Sequence, residues 1–276
     1  MSIAVVGASS FIGQALQAQA RTADWRFVDR HTALTSDAWL EGVGCLINCA
    51  FDSALKAQPY SPEHDVDVQL ASRLQRHPRI RYLMLSSRMV YGSAGFDGRL
   101  HEALQPQPLN LYGRAKWTGE QALRALLGDR LTVLRLSNIC GYELVPGRRS
   151  FFAMAMSSLR DQGRIVLDMS PFVERDFLPV EALAEALVHV AEQPEAGLFN
   201  LGAGHGVACG RVAQWLIEGY GSGELLINNL REYDPFWLDI RSAREAFGFA
   251  GVSPGFVREY CMNLGRRMRT ELELGK

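Results

Sequence analysis

Apolar positions along the chain fall into two alternating kinds of run. Short, mainly apolar stretches occur at 3–6, 25–28, 45–48, 82–85 and 131–136. Stretches of this kind suit parallel strands buried on both faces. Between them lie segments with helical spacing. Residues 11–20 place Ile12, Ala15, Leu16 and Gln19 on one face, and residues 64–76 form a polar-apolar pattern stopped by Pro78. Residues 113–127 turn Ala115, Ala122, Leu123, Leu126 and Leu127 inward, with Gly128 following. This alternation predicts a doubly wound α/β fold around a parallel sheet, where ligands sit beyond the carboxyl ends of the strands. Past residue 136 the pattern is less regular. Helices are predicted at 180–192 and 208–219, and the rest of 143–175 and 198–276 mixes helices, glycines and short strands. No repeat, low-complexity tract or linker divides the chain, which predicts one contiguous body.

The candidate chemistry, up to Asn138, lies at strand ends or on the helices that follow them. Gly7-Ala8-Ser9-Ser10-Phe11-Ile12-Gly13 joins the first strand to the first helix. Gly7 allows a tight turn, Gly13 lets the helix pack closely on the sheet, and the free N–H groups at the helix start suit a pyrophosphate. Asp29 ends the second strand, twenty-two residues past Gly7. A carboxylate there accepts hydrogen bonds from adenosine ribose hydroxyls and repels a 2′-phosphate, which favours NAD; Arg30 beside it suits a 2′-phosphate and keeps NADP open. Cys49 and Ala50, the small residues ending the third strand, complete the expected cofactor-binding set.

Tyr112 and Lys116 are four residues apart at the start of a helix and so share a face. A tyrosine hydroxyl is ordinarily a poor base at neutral pH, but a nearby ammonium and a positive nicotinamide ring stabilise the phenolate. The pair can then exchange a proton with a substrate oxygen, while the lysine also reaches the nicotinamide ribose. Ser87, at the end of the fourth strand, is placed to hydrogen-bond the same oxygen. Ser87, Tyr112 and Lys116 are therefore the expected catalytic residues, with Tyr112 and Lys116 also touching the cofactor.

In combination these motifs resemble the extended short-chain dehydrogenase/reductases, the NAD-dependent epimerase/dehydratase family that acts on nucleotide sugars. The resemblance covers nearly the whole chain. The 7–13 loop is similar to G-x-x-G-x-x-G, with Ser10 in place of the middle glycine, a change that either weakens cofactor binding or adds a hydroxyl contact. Ser86-Ser87-Arg88-Met89-Val90-Tyr91-Gly92 resembles S-S-x-x-V-Y-G, and His101-Glu102 with 106–116 resembles E-x(n)-P-x(n)-Y-G-x-x-K. Further on, 135–141 is similar to R-x-x-N-x-Y-G, Arg175-Asp176-Phe177 to R-D-[FY], and Asn200-Leu201-Gly202 to an N-x-G strand. The resemblance implies a Rossmann-type sheet. It assigns substrate binding to Ser87 and Asn138, nucleotide phosphates to Arg175, and phosphate and ribose to Arg231 and Asp234, a late R-x-x-D pair. It also implies a division into 1–136 plus 176–202 for NAD(P) and 137–175 plus 203–276 for substrate.

Within that family, Arg88-Met89 after the serine disfavours dehydration, which uses an Asp-Glu pair there, and Met89 disfavours a 3,5-epimerase, which uses a cysteine. A 4-epimerase acting through a 4-keto intermediate and a 4-keto-sugar reductase remain, the first slightly preferred. A dinucleotide-binding sensor or scaffold without turnover is the alternative outside enzymology. A homodimer through the helices at 64–76 and 113–127 is implied, with Leu70, Leu74 and Trp117 as outward contacts; the alternative is that these residues face the sheet.

Composition narrows the setting. The 276 residues carry a formal charge of -1, with no basic stripe, so nucleic acid is not an expected partner. Five scattered cysteines form no C-x-x-C pair, which argues against zinc and disulfide frameworks and for a reducing, cytoplasmic location. No metal is expected. The opening residues lack a signal peptide's charged and apolar regions, and no apolar run approaches the ~20 residues of a membrane span.

Overall fold

The computed structural model describes residues 2–145 and 147–275. Its first half alternates as the apolar pattern requires: β1 (Ser2–Val6), α1 (Phe11–Gln17), β2 (Arg26–Val28), α2 (Arg30–Thr35), β3 (Val43–Asn48), α3 (Ala54–Ala57), α4 (Val66–Leu74), β4 (Arg81–Ser87), the short β5 (Arg99–Leu100), α5 (Leu111–Leu127) and β6 (Leu131–Leu136). The second half contains β7 (Asn138–Cys140), α6 (Phe151–Gln162), β8 (Arg164–Leu167), β9 (Glu174–Arg175), β10 (Phe177–Pro179), α7 (Val180–Glu192) and β11 (Gly197–Leu201). It closes with β12 (Val207–Ala208), α8 (Cys209–Tyr220), β13 (Glu224–Ile227), β14 (Trp237–Leu238), α9 (Arg241–Phe247) and α10 (Pro254–Glu273).

Six strands form the central sheet in the order β11-β6-β4-β3-β1-β2, every neighbour parallel. From β1 the chain crosses first to β2 on one side and then to β3 on the other. The crevice beyond the carboxyl ends of β1 and β3 is therefore the switch point where such sheets bind ligands. One apolar layer, with Leu16, Leu183, Leu187 and Val190, covers one sheet face; another, with Leu70, Leu74, Leu123 and Leu127, covers the other. A third cluster, around Phe152, Met156, Phe177, Leu216 and Val257, lies among α6, α8 and α10.

Helix limits depart from the periodicity where a side chain supplies a cap. The first helix stops at Gln17, short of the predicted residue 20, because the Thr22 hydroxyl donates to the Leu16 and Gln19 carbonyls. The long helix starts at Leu111, two residues before its predicted start, because the Asn110 carboxamide oxygen accepts from Gly113 N. Tyr112 is thereby inside the first turn. Leu70 and Leu74 are 1% exposed and pack on the sheet, and Trp117 is half-buried. The outward apolar contact expected of Leu70 and Leu74 is thus corrected; around Trp117, α5 presents Arg114, Thr118, Gln121 and Arg124 to solvent.

Candidate active site

Gly7 ends β1 with φ +86°, and its N–H donates to the Val28 carbonyl. A Cβ there would lie 2.6 Å from Ala50 N, and one on Gly13 would lie 2.3 Å from the Gly7 carbonyl oxygen. Both positions therefore need glycine, and Ala50 and Cys49 line the same crevice. Ser10 caps α1: its hydroxyl oxygen accepts from Gly13 N at 3.0 Å. The substitution of the middle glycine thus serves the helix, leaving the N–H groups of Phe11 and Ile12 at the open helix start as pyrophosphate donors. This cradle fits a dinucleotide.

Asp29 caps α2, with its carboxylate accepting from Thr32 N (3.0 Å) and Thr32 Oγ1 (2.6 Å). These bonds hold its carboxyl below the usual range. Arg30 turns away to Asp52, with Nη2 2.8 Å from Oδ2. Asp52 also receives Ala54 N and faces His64, and these contacts hold its carboxyl well below the ordinary value.

Ser87 is the last residue of β4; its hydroxyl oxygen accepts from Met89 N at 3.2 Å, leaving its own O–H free to donate. Tyr112 meets Phe51 edge to face at 5.2 Å, and Lys56 Nζ stands 5.3 Å from the Tyr112 ring centre. Lys116 lies one turn on, buried, with Nζ 3.2 Å from Asp67 Oδ2. Burial pulls Lys116 down, but the attractions of Asp67, Tyr112 and Asp65 outweigh it and hold the ammonium above an ordinary lysine. Two of its three N–H bonds remain available for ribose hydroxyls.

The motifs do not single out Asp67 as a site residue. It accepts from Tyr82 O–H and Asn48 Nδ2, both at 2.8 Å, and so ties β3 and β4 to Lys116. Its signal was available: Asp67, Leu70, Ala71 and Leu74 form the buried stripe of α4, and a carboxylate there needs a partner. Glu120 on α5 has the same signature. It is fully buried and receives Arg135 Nε (3.0 Å), Arg135 Nη2 (2.7 Å) and the Ser86 hydroxyl. Ser86 and Arg135 are thus tied to each other, while Ser87 faces the site.

Other motif residues hold the architecture. Asn200 receives Tyr91 O–H (2.7 Å), its N–H donates to Glu102, and its side chain donates to the Leu100 and Asp239 carbonyls. Asp176 is fully buried and accepts from the N–H groups of Ala203, Gly204 and Leu238.

The substrate-binding candidates lie beyond the crevice. Asn138 is half-buried, pairs through β7 with β10, and has a side chain free of protein partners among the described residues. Arg175 donates to the Glu174 and Asp234 carbonyls; its guanidinium and that of Arg231 stand 6.0 and 4.9 Å from the Tyr233 ring centre. Asp234 is taken by the Ser93 hydroxyl. Arg175 and Tyr233 border a cavity of about 570 Å³ whose walls include Phe151, Met154, Leu167 and Met169. Arg175, expected at a substrate's phosphates, thus borders a largely apolar recess large enough for a nucleoside.

A six-stranded parallel sheet with its glycine loop at the switch point defines the class of Rossmann-type dinucleotide-binding proteins. Residues 3–202 match the NAD dependent epimerase/dehydratase family, and the chain belongs to that family. It is 28% identical over 189 residues to an ADP-L-glycero-D-manno-heptose-6-epimerase of Alkalilimnicola ehrlichii, a match covering 63% of this chain and 56% of that one. The chain spans 36 to 56% of the length of the curated relatives it matches. Its fold is similar to that of a UDP-glucose 4-epimerase of Thermotoga maritima with UDP-glucose (TM-score 0.80, 19% identity, 99% and 100% of the two chains). It is likewise similar to RMD from Pseudomonas aeruginosa complexed with NADPH (TM-score 0.79, 20% identity, 98% of each chain). Among the described residues no helix is long and apolar enough to cross a membrane.

Proposed function

We propose that this chain is an NAD-dependent nucleotide-sugar 4-epimerase that works through a 4-keto intermediate. The observation that carries the reading is the placement of Tyr112 and buried Lys116 beside the Gly7–Gly13 cradle, with the Arg175-bordered recess beyond. NAD, when bound, supplies a hydride acceptor for C4 of the sugar and later the donor to its opposite face. Gly7, Ser10, Phe11, Ile12, Gly13, Asp29, Cys49 and Ala50 hold it, and Lys116 meets its ribose. Ser87 donates a hydrogen bond to the C4 oxygen. Tyr112 takes the proton from that oxygen and returns it, with Lys116 stabilising the phenolate. Asn138, Arg175, Arg231 and Asp234 hold the sugar and diphosphate, and the recess takes the nucleoside.

The ion pair between Arg30 and Asp52 favours NAD over NADP, because the cation that would meet a 2′-phosphate is already engaged. A 4-keto-sugar reductase is the second reading, favoured by the short stretch between Asn138 and Arg175, which suits a compact substrate site. The division into a cofactor-binding part and a substrate-binding part, and a homodimer through α4 and α5, belong to the same proposal. So does a cytoplasmic location, supported by the free thiols of all five cysteines.

The test is to denature the purified protein and identify the dinucleotide released. NAD in near-stoichiometric amount is the expected result. A protein that emerges empty and then takes up NADPH reversibly favours the reductase, and one that binds NADH but turns over no nucleotide sugar favours a sensor.

A further inference from the structure

Arg88 directly follows Ser87, in the turn that leaves β4. Its guanidinium lies 3.9 Å above the Phe236 ring, and its Nε is buried with no hydrogen-bond partner. Among the described residues no carboxylate stands within ion-pair distance of it. Arg175 shares the same ring, 5.2 Å from its centre, and itself bonds only backbone carbonyls. Two guanidinium groups therefore converge on one aromatic ring, and among the described residues neither has a carboxylate within ion-pair distance. Burial, reinforced by repulsion from Arg175, pushes Arg88 down to about 10. Withdrawing a cation from water is unfavourable unless it is paired, and contact with a ring returns less than an ion pair would. A ligand anion would supply what the protein does not.

This step rests on the nucleotide-sugar reading above. There the diphosphate goes to Arg175, at the edge of the recess, and to Arg231 beside Tyr233, while the reacting C4 oxygen goes to Ser87. Arg88 follows Ser87 in the chain and shares the Phe236 ring with Arg175, so its guanidinium stands between the place of the C4 oxygen and that of the diphosphate, where the sugar ring would lie. We infer that the sugar carries its own negative charge, as a hexuronate does, and that Arg88 reads that carboxylate. A guanidinium matches a carboxylate with two parallel hydrogen bonds, which gives direction as well as attraction. A neutral hexose would leave Arg88 with no anion in the closed complex.

The experiment uses the full chain loaded with NAD. Binding is measured by calorimetry for four pairs of nucleotide sugars that differ only in a hydroxymethyl or a carboxylate at C6, carried on uridine, thymidine, guanosine and adenosine diphosphate. The acidic member of at least one pair should bind about tenfold tighter or more. Arg88→Met, which keeps an apolar contact with Phe236, should remove that advantage and change the neutral partner's Kd less than about threefold; Arg88→Lys should fall between. Retained NAD binding by both variants shows that they fold. The inference is overturned if the neutral member binds as well as the acidic one in every pair that binds. It is also overturned if Arg88→Met weakens both members and the free nucleoside diphosphate alike, since Arg88 would then meet the diphosphate. If no nucleotide sugar binds, the proposed function itself fails and takes this inference with it, an outcome distinct from the other two.

Discussion

Replacing Asp67 by Asn isolates the charge that faces Lys116. The amide has the size of the carboxylate and its oxygen can still accept from Tyr82 O–H and Asn48 Nδ2, so what is lost is the ionic partner of a buried ammonium together with the hydrogen bond that the ammonium donates. Lys116 and Asp67 are 8% and 4% exposed, so solvent does not take over. Breaking a buried pair by removing one member typically costs about 3–5 kcal/mol. The low end applies here, about 3 kcal/mol, because Asp65 also attracts Lys116 and continues to offset it. For a chain of this size that is a fall of roughly 6–12 °C in Tm. Lys116 is held above its unfolded value, so the pair's contribution is fully present below the ordinary lysine range. It is lost only as pH rises through the higher folded value. The deficit of the variant should therefore stay constant through neutral pH and shrink only in strong alkali. Thermal and urea unfolding from pH 6 to 11 measures it. A deficit below about 1 kcal/mol at pH 7, the size of an exposed pair, would refute the reasoning.

Three further substitutions probe other parts of the site. Tyr112→Phe should lower turnover about 10²- to 10⁴-fold with cofactor affinity nearly unchanged, and comparable turnover would remove Tyr112 from the proton transfer. Asp52→Asn loosens Arg30, so the NADP-to-NAD affinity ratio, read by titration, should rise by up to about fivefold; an unchanged ratio means that Arg30 does not reach the 2′ position. Asp65 is raised above the ordinary carboxylate by burial and then by Asp67. Its ionised form thus weighs against folding above the folded value. Asp65→Asn, which preserves the α4 cap, should stabilise the protein at pH 7 and lose that gain below about pH 4, where both states are protonated. Equal destabilisation at both pH values would contradict it.

How much of this was legible in the sequence depended on how local the signal was. The five early strands and their order of helices followed from alternating apolar runs, because strands buried on both faces carry an unambiguous pattern. Gly7, Gly13 and the Tyr112–Lys116 spacing could be placed for the same reason: each depends on neighbours a few residues away. For Leu70 and Leu74 the resemblance offers an outward contact and the apolar pattern leaves facing the sheet open; they face the sheet, because periodicity gives a face but not which neighbour covers it. Asp67 and Arg88 escaped because their meaning is non-local. Asp67 matters through Lys116, forty-nine residues on, and Arg88 through Phe236. Helix ends at Gln17 and Leu111 were set by single hydroxyl and carboxamide caps that the apolar pattern does not record.

Epimerisation through a 4-keto sugar is tested by proton NMR of the NAD-loaded protein in deuterated water with the panel of nucleotide sugars and no added cofactor. Inversion at C4 of one of them is expected, with the C4 hydrogen retained and no solvent deuterium on the ring, because the hydride leaves and returns within the site. Deuterium beside the carbonyl position, or inversion at a carbon other than C4, would contradict it.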